Sequence, residues 1–312
     1  MDESDFYEID SRDEQLAFLL RYAILAPSIH NRQPWSFRIT ADGIEVYADY
    51  ARRLPVVDPV DRELHMSVGA AIANLRVAAA HFGFETSVLY QPRPEESLPV
   101  ALISFRETCA PDERLASLFD SIRRRHTNRA VFSGAPLRPD ARQALFDLMS
   151  EFPRFLRLIM PGDKKHAAEL IAAGERAQMA RPALRDELSD CMQSSSRIAP
   201  WVVRHFDVGQ LMAHHDASLV DSSSLLLVIA AEDDRPSLVH AGEVLERVLL
   251  TLTRFGLQYS FMNQPIAVDA LRSRLWSLVG SSAPPQLLLR IGEGRPVRRA
   301  TPRRPVQSVL AR

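Results

Sequence analysis

Four arginines and a threonine lie close together in the middle of the chain, within residues 123–129. Arg125, Thr127 and Arg129 alternate, so in an extended segment their side chains point to the same side. Two guanidinium groups and a hydroxyl suit a phosphate dianion, because charge-assisted hydrogen bonds from arginine can be bidentate. Alternatively, these cations end a helix that starts near Asp112, because positive charge at the C-terminal end of a helix interacts favourably with the helix dipole. We adopt the second interpretation for the first two arginines, and both stay open for Arg125 and Arg129.

A loop of hydrogen-bonding residues separates two predicted elements near the start of the chain. Residues 13–26 have the apolar spacing of an amphipathic helix, which Pro27 ends, and Trp35 opens a short strand. Between them lies the sequence Ser28-Ile29-His30-Asn31-Arg32-Gln33. Composition alone does not separate a binding loop from an ordinary loop anchored by an aromatic, and Trp35 itself is expected in the core.

The bulk composition indicates a globular protein with a large core and no preference for polyanions. Of the 312 residues, 46% are hydrophobic, and 38 Lys and Arg nearly balance 39 Asp and Glu, so we expect no nucleic-acid partner and no membrane attachment. Two cysteines form no disulfide framework, and His214 and His215 lack the spacing of metal ligands, so no metal site is expected. The acidic N-terminal sequence lacks a signal-peptide pattern, and a cytoplasmic location is expected by default.

Two parts of the sequence repeat one pattern at an offset of 173 residues. Each contains a long helix with one apolar stripe, at 59–82 and 237–255, followed by Phe-Gly, a strand and Gln-Pro. Chance similarity between amphipathic helices explains the stripes but not the paired residues, so we favour an internal duplication. Two like units would pack as a pseudo-dimer and share sites between them. The matched pairs are Gly69 and Gly242, Phe82 and Phe255, Gly83 and Gly256, Gln91 and Gln264, and Pro92 and Pro265.

We divide the chain into a first repeat at residues 1–110 and a second repeat at 111–312. Residues 160–222 have no counterpart in the first repeat; they begin as a helix at 164–179 and then become irregular and polar. An insertion of this length in a compact fold often serves as a lid, and we expect one here. Short strands are predicted in both repeats, at 35–39, 44–47, 85–90, 98–105, 223–231 and 285–291.

Taken together, the two polar segments resemble the cofactor motifs of the nitroreductase family. The string Ala-Pro-Ser-x-x-Asn-x-Gln-Pro-Trp, from Ala26 to Trp35, resembles the flavin loop of that family. The Arg125-x-Thr127-x-Arg129 segment resembles its Arg-x-Ser-x-Arg phosphate motif, with threonine in place of serine.

A third segment and the repeated layout extend the resemblance. Thr301-Pro302-Arg303-Arg304-Pro305-Val306 resembles the closing basic motif of the family, which also reaches the FMN phosphate. The layout is most similar to the Acg-type branch, in which two nitroreductase repeats are fused. The resemblance covers about residues 14–310 and is weak across 160–222.

The resemblance implies an α+β, nitroreductase-like fold, in which two α/β repeats form an intramolecular pseudo-dimer with helices packed on mixed β-sheets. In the family the flavin lies at a subunit interface. Here the loop occurs only in the first repeat and the arginines only in the second, so one competent and one degenerate flavin site are expected. The residues thereby assigned to FMN are Pro27, Ser28, Ile29 and Asn31 at the ring and ribityl side, Arg125, Thr127, Arg129, Arg303 and Arg304 at the phosphate, and Phe261, Met262 and Asn263 near N5.

The implied activity is hydride transfer from NAD(P)H through FMN to a small electron-poor acceptor such as a nitroaromatic or a quinone. No dedicated catalytic acid or base is expected. A second hypothesis is a flavin-sequestering protein with little turnover, in which the insertion covers the ring. A monomeric pseudo-dimer and a homodimer both stay open.

These assignments predict the result of removing the two alternating arginines. The double substitution Arg125→Ala with Arg129→Ala should abolish retention of FMN, because a buried phosphate would lose its charge partners. The measurement is the flavin absorbance that remains with the protein after gel filtration. Retention at the wild-type level would place the phosphate elsewhere.

Overall fold

Two four-stranded antiparallel sheets, each packed against helices, form the α+β core of this chain. The computed structural model describes residues 3–91, 95–192, 199–297 and 301–311, so the matched residue Pro92 lies outside the described residues. The first sheet has the order β1-β2-β4-β3 and the second has the order β5-β6-β8-β7, which is the same arrangement. The strands are β1 (Trp35–Thr40), β2 (Gly43–Ala48), β3 (Phe84–Tyr90), β4 (Ala101–Glu107), β5 (Leu156–Ile159), β6 (Leu225–Ala230), β7 (Gln258–Phe261) and β8 (Pro285–Gly292).

The helices predicted at 13–26, 59–82 and 237–255 are confirmed as α1, α2 and α10. Both long helices end where the sequence predicts, because Gly83 and Gly256 follow them with φ angles of 83° and 73°. No helix within the described ranges has the length and apolarity needed to cross a membrane. In chain order the helices are α1 (Arg12–Ala23), α2 (Arg62–His81), α3 (Glu113–Ala116), α4 (Phe119–Arg124), α5 (Pro139–Glu151), α6 (Lys164–Met179), α7 (Pro182–Cys191), α8 (Pro200–His205), α9 (Gly209–Asp221), α10 (Arg235–Arg254) and α11 (Asp269–Val279).

The strand ladders differ from the mixed sheets that were expected. Every ladder within the described residues is antiparallel, although α2 does connect two strands that run in the same direction, β2 and β3. These two strands are not neighbours because β4 lies between them, and β8 separates β6 from β7 in the same way. The one parallel pairing in the described chain is an isolated bridge between Phe37 of β1 and Leu310. The C-terminal segment, residues 301–311, therefore borders the first sheet.

The long insertion lies in the second half of the chain, residues 111–312, and connects β5 to β6. At the corresponding place the first half, residues 1–110, has only Ala41 and Asp42 between β1 and β2. The helix predicted at 164–179 is confirmed as α6. The remainder, predicted to be irregular, contains α7, α8 and α9, while the polar residues 193–196 lie outside the described part. Two of these helices begin with a proline, Pro182 and Pro200, which is favourable at the first helical position but was not recognised in the sequence.

The two halves meet where α2 crosses α10. A Cβ atom on Gly69 would lie 1.9 Å from the carbonyl oxygen of Val239, and one on Gly242 would lie 2.0 Å from that of Met66. The offset of 173 residues that separates the two glycines also separates Met66 from Val239, so the contact is reciprocal. Reciprocal contacts are what a two-fold relation between the helices would produce.

We expect this crossing to tolerate no side chain at either glycine. Gly242→Ala should lower the free energy of unfolding by about 1–3 kcal/mol, the usual cost of overpacking, because backbone must move. Urea unfolding followed by circular dichroism measures the change. Gly162→Ala is the matched control, since nothing lies within 4 Å of its added Cβ. Equal stability of the two variants would contradict the close approach.

Candidate functional site

The polar loop after α1 has an uncommon backbone conformation. His30, Asn31 and Gln33 adopt positive φ angles of 43°, 58° and 52°, which residues other than glycine rarely take. Ser28 closes the loop, because its Oγ accepts a hydrogen bond from the Gln33 N–H at 2.9 Å. The Gln33 side-chain amide donates back to the Asn31 carbonyl at 3.3 Å. Strained segments of this kind persist only where their surroundings hold them, and they cluster at binding sites.

The start of α2 connects this loop to the end of β7 in the second half. The backbone N–H of Ile29 donates to Ser67 Oγ at 3.1 Å, and Ser67 donates to the Glu63 carbonyl at 2.7 Å. Asn263 donates from its side-chain amide to the Glu63 carboxylate at 3.3 Å. One helix therefore links the loop of the first half to the segment Phe261–Asn263 of the second.

Arginines from two separate parts of the second half meet at the loop of the first half. Arg125 and Arg303 both donate to the backbone carbonyl of Leu25, at 3.3 and 3.2 Å. Arg303 also donates to the side-chain oxygen of Asn31 at 3.1 Å, and Asn31 donates to the Pro302 carbonyl at 3.2 Å. The structure thus brings together three of the residues that the resemblance assigns to FMN, namely Asn31, Arg125 and Arg303.

The segment that carries the alternating residues leaves α4 and runs beside the second sheet. The Asn128 N–H donates to the Tyr259 carbonyl in β7 at 2.9 Å, which fixes the segment in place. Arg125 is buried, Thr127 is half-buried and Arg129 is exposed. Among the described residues, Arg129 has neither a hydrogen-bond nor an ion-pair partner, so its guanidinium group is available to a ligand.

The electrostatics of this region favour an anion. Burial, followed by the charge of Arg125, lowers the pKa of Arg303 to about 10. Arg129 keeps exposed surface, yet desolvation by the surrounding protein lowers its pKa. His30 keeps an exposed surface, yet the surrounding protein and the charge of Arg129 lower its pKa to about 4. Cationic groups with lowered pKa values lack a sufficient counter-charge, which a phosphate dianion would supply.

Arg304 differs from Arg303 because its groups already have partners. Its guanidinium donates to the Gln33 carbonyl at 3.1 Å and to the Ser308 carbonyl at 2.6 Å, and it lies 3.5 Å from the carboxylate of Asp49. Its backbone N–H donates to the Gln33 side chain at 2.8 Å. Arg304 therefore fastens the C-terminal segment to the loop, while Arg303 lies beside Arg125.

The segment predicted to lie near the flavin N5 continues β7. The Met262 N–H donates to the Leu288 carbonyl at 2.8 Å, and the Leu288 N–H donates to Asn263 Oδ1 at 3.0 Å. Phe261 is half-buried and Met262 is buried. These bonds hold the segment rigidly against β8, and its contact with the start of α2 is made through the Asn263 side chain.

Four residues of this region were missed in the sequence. Gln33 is part of the flavin-loop motif recognised in the sequence, so the motif itself could have indicated its role. Glu63 and Ser67 interrupt the apolar stripe of α2 on one side of the helix, which is a weak signal. Glu246 lies within the apolar helix α10 and is fully buried 3.3 Å from Arg125. Only its charge within an apolar helix could have marked it.

The insertion reaches across to the first half through α7. The Glu187 carboxylate accepts hydrogen bonds from the backbone N–H groups of Val56 and Val57, at 3.1 and 2.6 Å. The side chains of both valines pack against buried Leu184 and Val203 of the insertion. Glu187 also acts electrostatically on His30, so α7 lies beside the polar loop.

A buried pair of carboxyl groups anchors the insertion to the segment after β7. Asp216 of α9 accepts from the Gln264 side chain at 2.7 Å, and Glu175 of α6 lies beside both. Burial raises the pKa of Glu175 to about 7, with a contribution from Asp216, and burial raises the pKa of Asp216 to about 6. The helix approaches closely here, because a Cβ atom on Gly174 would lie 2.5 Å from the Gln264 backbone.

This pair predicts a pH dependence of stability. Because the pKa of Glu175 is raised from 4.5 to about 7, the folded protein binds this proton more tightly than the unfolded chain. The resulting stabilisation is present below pH 4.5 and is lost as the pH rises through 7, by up to about 3 kcal/mol. Glu175→Gln should lose less stability between pH 5 and 8 in urea unfolding. Parallel curves for wild type and variant would contradict this, and Glu169→Gln, on the exposed side of α6, serves as the control.

Comparison with known proteins identifies relatives along most of the chain. No family model matches it. The Mycobacterium tuberculosis protein named "Putative NAD(P)H nitroreductase Rv3131" is 30% identical over 301 residues, which cover 89% of this chain and 85% of that protein. From the same organism, "Putative NAD(P)H nitroreductase acg" is 27% identical over 323 residues, which cover 93% of each chain.

A solved structure agrees with the fold. A crystal structure described as a "putative nitroreductase" from Anabaena variabilis matches with a TM-score of 0.51 and 10% sequence identity, covering 94% of this chain and 91% of that one. At this identity the match concerns the fold alone, and the sequence relatives carry the assignment. The chain has two sheets of the same order and shares its fold with that structure. Because a named nitroreductase is 30% identical to it along most of both sequences, the chain belongs to the nitroreductase family.

Proposed function

We propose that this protein is an FMN-dependent oxidoreductase that passes a hydride from NAD(P)H, through the flavin, to a small electron-poor acceptor such as a nitroaromatic or a quinone. The observation that carries the proposal is the meeting of Arg125 and Arg303 at the Leu25 carbonyl, beside Asn31. The names of the relatives support NAD(P)H as the donor and a nitro compound as one acceptor.

The phosphate of FMN would bind at the unpaired cations. Arg129 has no partner among the described residues, and the buried Nε of Arg303 has no hydrogen-bond acceptor there either. Thr127 would add a hydroxyl group beside them. These donors fit a phosphate monoester, because they combine positive charge with unused N–H and O–H groups. We leave Arg304 outside this set, since its donors are occupied.

The ring and ribityl chain would lie along the polar loop. Pro27, Ser28, Ile29 and Asn31 would border it from the first half, and the segment Phe261–Asn263 would border the reactive edge from the second. When bound, FMN supplies the hydride-accepting and hydride-donating chemistry. The contribution of the chain is orientation, since the loop and the segment are both tied to α2.

A second candidate function is flavin sequestration with little turnover, and the position of α7 favours it. Glu187 holds the insertion on the backbone of Val56 and Val57, next to the polar loop. A lid fixed there would exclude water from the flavin and would also hinder entry of a nicotinamide and an acceptor.

The architecture suggests how this chain differs from a two-subunit enzyme. We infer that the two halves arose by internal duplication, with repeats at 1–110 and 111–312 and a lid at 160–222. The reciprocal crossing of α2 and α10 supports this, although α3 and α4 follow residue 110 and pack in the core of the first half. A monomeric pseudo-dimer would then suffice for one flavin site, a homodimer being the alternative, and we place the protein in the cytoplasm.

An absorption spectrum tests both candidate functions. The purified protein should show a flavin band that bleaches on addition of NADPH or NADH without air. A band that persists with both donors would favour sequestration. Addition of a nitroaromatic or a quinone to the bleached protein should restore the band. Absence of the band, even after added FMN, would contradict both functions.

A further inference from the structure

Glu246 lies beneath the arginines of the proposed phosphate site, in an environment that is poor for a carboxylate. Its side chain is fully buried, and neither carboxylate oxygen has a hydrogen-bond partner among the described residues. The nearest cation is Arg125, whose Nε lies 3.3 Å from a carboxylate oxygen and donates no hydrogen bond there. A buried ion pair without such hydrogen bonds gains little over its desolvation cost.

The charges around Glu246 do not balance without a ligand. Arg125 and Arg303 both act on the single carboxyl group of Glu246, and both donate to one carbonyl oxygen. If Glu246 is ionised, it competes with a bound phosphate for Arg125. If Glu246 is protonated, both Arg125 and Arg303 are available to the phosphate. The charge state of this carboxyl group therefore sets how strongly the pocket attracts a dianion.

We propose that Glu246 sets the charge of the pocket, so that binding of a phosphate monoester is coupled to uptake of one proton by its carboxyl group. The proton comes from the solvent, and no bond other than the new O–H is formed. This inference rests on the proposed FMN site. It adds a residue that does not touch the flavin but determines, through Arg125, the pH range in which the phosphate is held.

The neighbours of Glu246 fix the direction of the effect. Among the described residues, the charged or titratable groups that act on it are Arg125, after α4, Arg303 of the C-terminal segment and Tyr259 of β7, while α2 and α5 contribute none. Burial raises the pKa of Glu246 to about 8, and the two arginines offset part of that rise. A bound phosphate would raise this pKa further, because it adds negative charge. Affinity for the phosphate should therefore fall as the pH rises through 8.

The test compares FMN with riboflavin, which has the same ring but no phosphate. Dissociation constants are measured between pH 7 and 9 by quenching of flavin fluorescence in wild type, Glu246→Gln and Glu243→Gln. For wild type we expect weaker FMN binding at pH 9 by up to about tenfold, the limit for one proton on a group with a pKa of about 8, and unchanged riboflavin binding. Glu246→Gln should bind FMN with a nearly constant affinity. Glu243→Gln removes another buried carboxylate of α10, which pairs with Arg76, and should keep the wild-type profile.

The outcomes separate this inference from the proposed function. FMN affinity of wild type that does not change with pH, or a profile that Glu246→Gln leaves unchanged, would overturn the role of Glu246 even if FMN binds. If neither flavin binds, the FMN function is wrong, and thermal stabilisation of the protein by inorganic phosphate then tests the pocket. Greater stabilisation at pH 7 than at pH 9 supports the inference. Equal stabilisation at both pH values, or none, overturns it. If Glu246→Gln does not fold, the contrast between FMN and riboflavin in the wild type decides.

Discussion

The rest of the structure depends on a close contact between two helix backbones, at the crossing of α2 and α10. Without a side chain at Gly69 and Gly242, each helix brings its backbone against a carbonyl oxygen of the other. Because α2 also carries Glu63 and Ser67, the crossing decides where the polar loop of the first half lies relative to the end of β7. A change in the separation of the helices would move both sides of the site at once.

The second organising feature is the unequal distribution of charge between the halves. The first half offers carbonyl and amide oxygens, from Leu25 and Asn31, while the second half offers Arg125 and Arg303. These hydrogen bonds hold the halves together in the protein as it stands. Because the accepting oxygens are neutral, these bonds do not neutralise the arginines. The remaining positive charge is the property that the proposed phosphate site requires. Cohesion of the halves and the proposed binding of an anion thus depend on the same arginines.

Much of the fold could be predicted from the sequence, because its long helices carry regular apolar stripes and end at glycines. The positions of α2 and α10, and most strands of both sheets, followed from such local patterns. Three features did not, namely the antiparallel ladders, the helices α7 to α9 and the approach of buried Glu246 to Arg125. Strand neighbours depend on which strands meet in space, as with β4 between β2 and β3, and no local pattern records that.

The site shows the same limit. The motifs indicated Asn31, Arg125 and Arg303, which do lie together, but could not distinguish Arg303 from Arg304. That distinction depends on which donors find partners, since Arg304 is occupied by Gln33 and Ser308. Glu187 and its hydrogen bonds to Val56 and Val57 were equally hidden, because they join residues about 130 positions apart.

The pairing of the C-terminal segment with β1 has a consequence for how the chain is made. The Phe37 N–H donates to the Val309 carbonyl, and the Ala311 N–H donates to the Phe37 carbonyl, so residues near position 310 border a strand that begins at Trp35. During synthesis, the edge of β1 leaves the ribosome long before its partner exists. An exposed strand edge can pair with another chain, so nascent chains are open to association until translation passes Ala311. Arg303 lies only a few residues before this pairing segment, which means that the proposed anion pocket and the sheet edge are completed at nearly the same time.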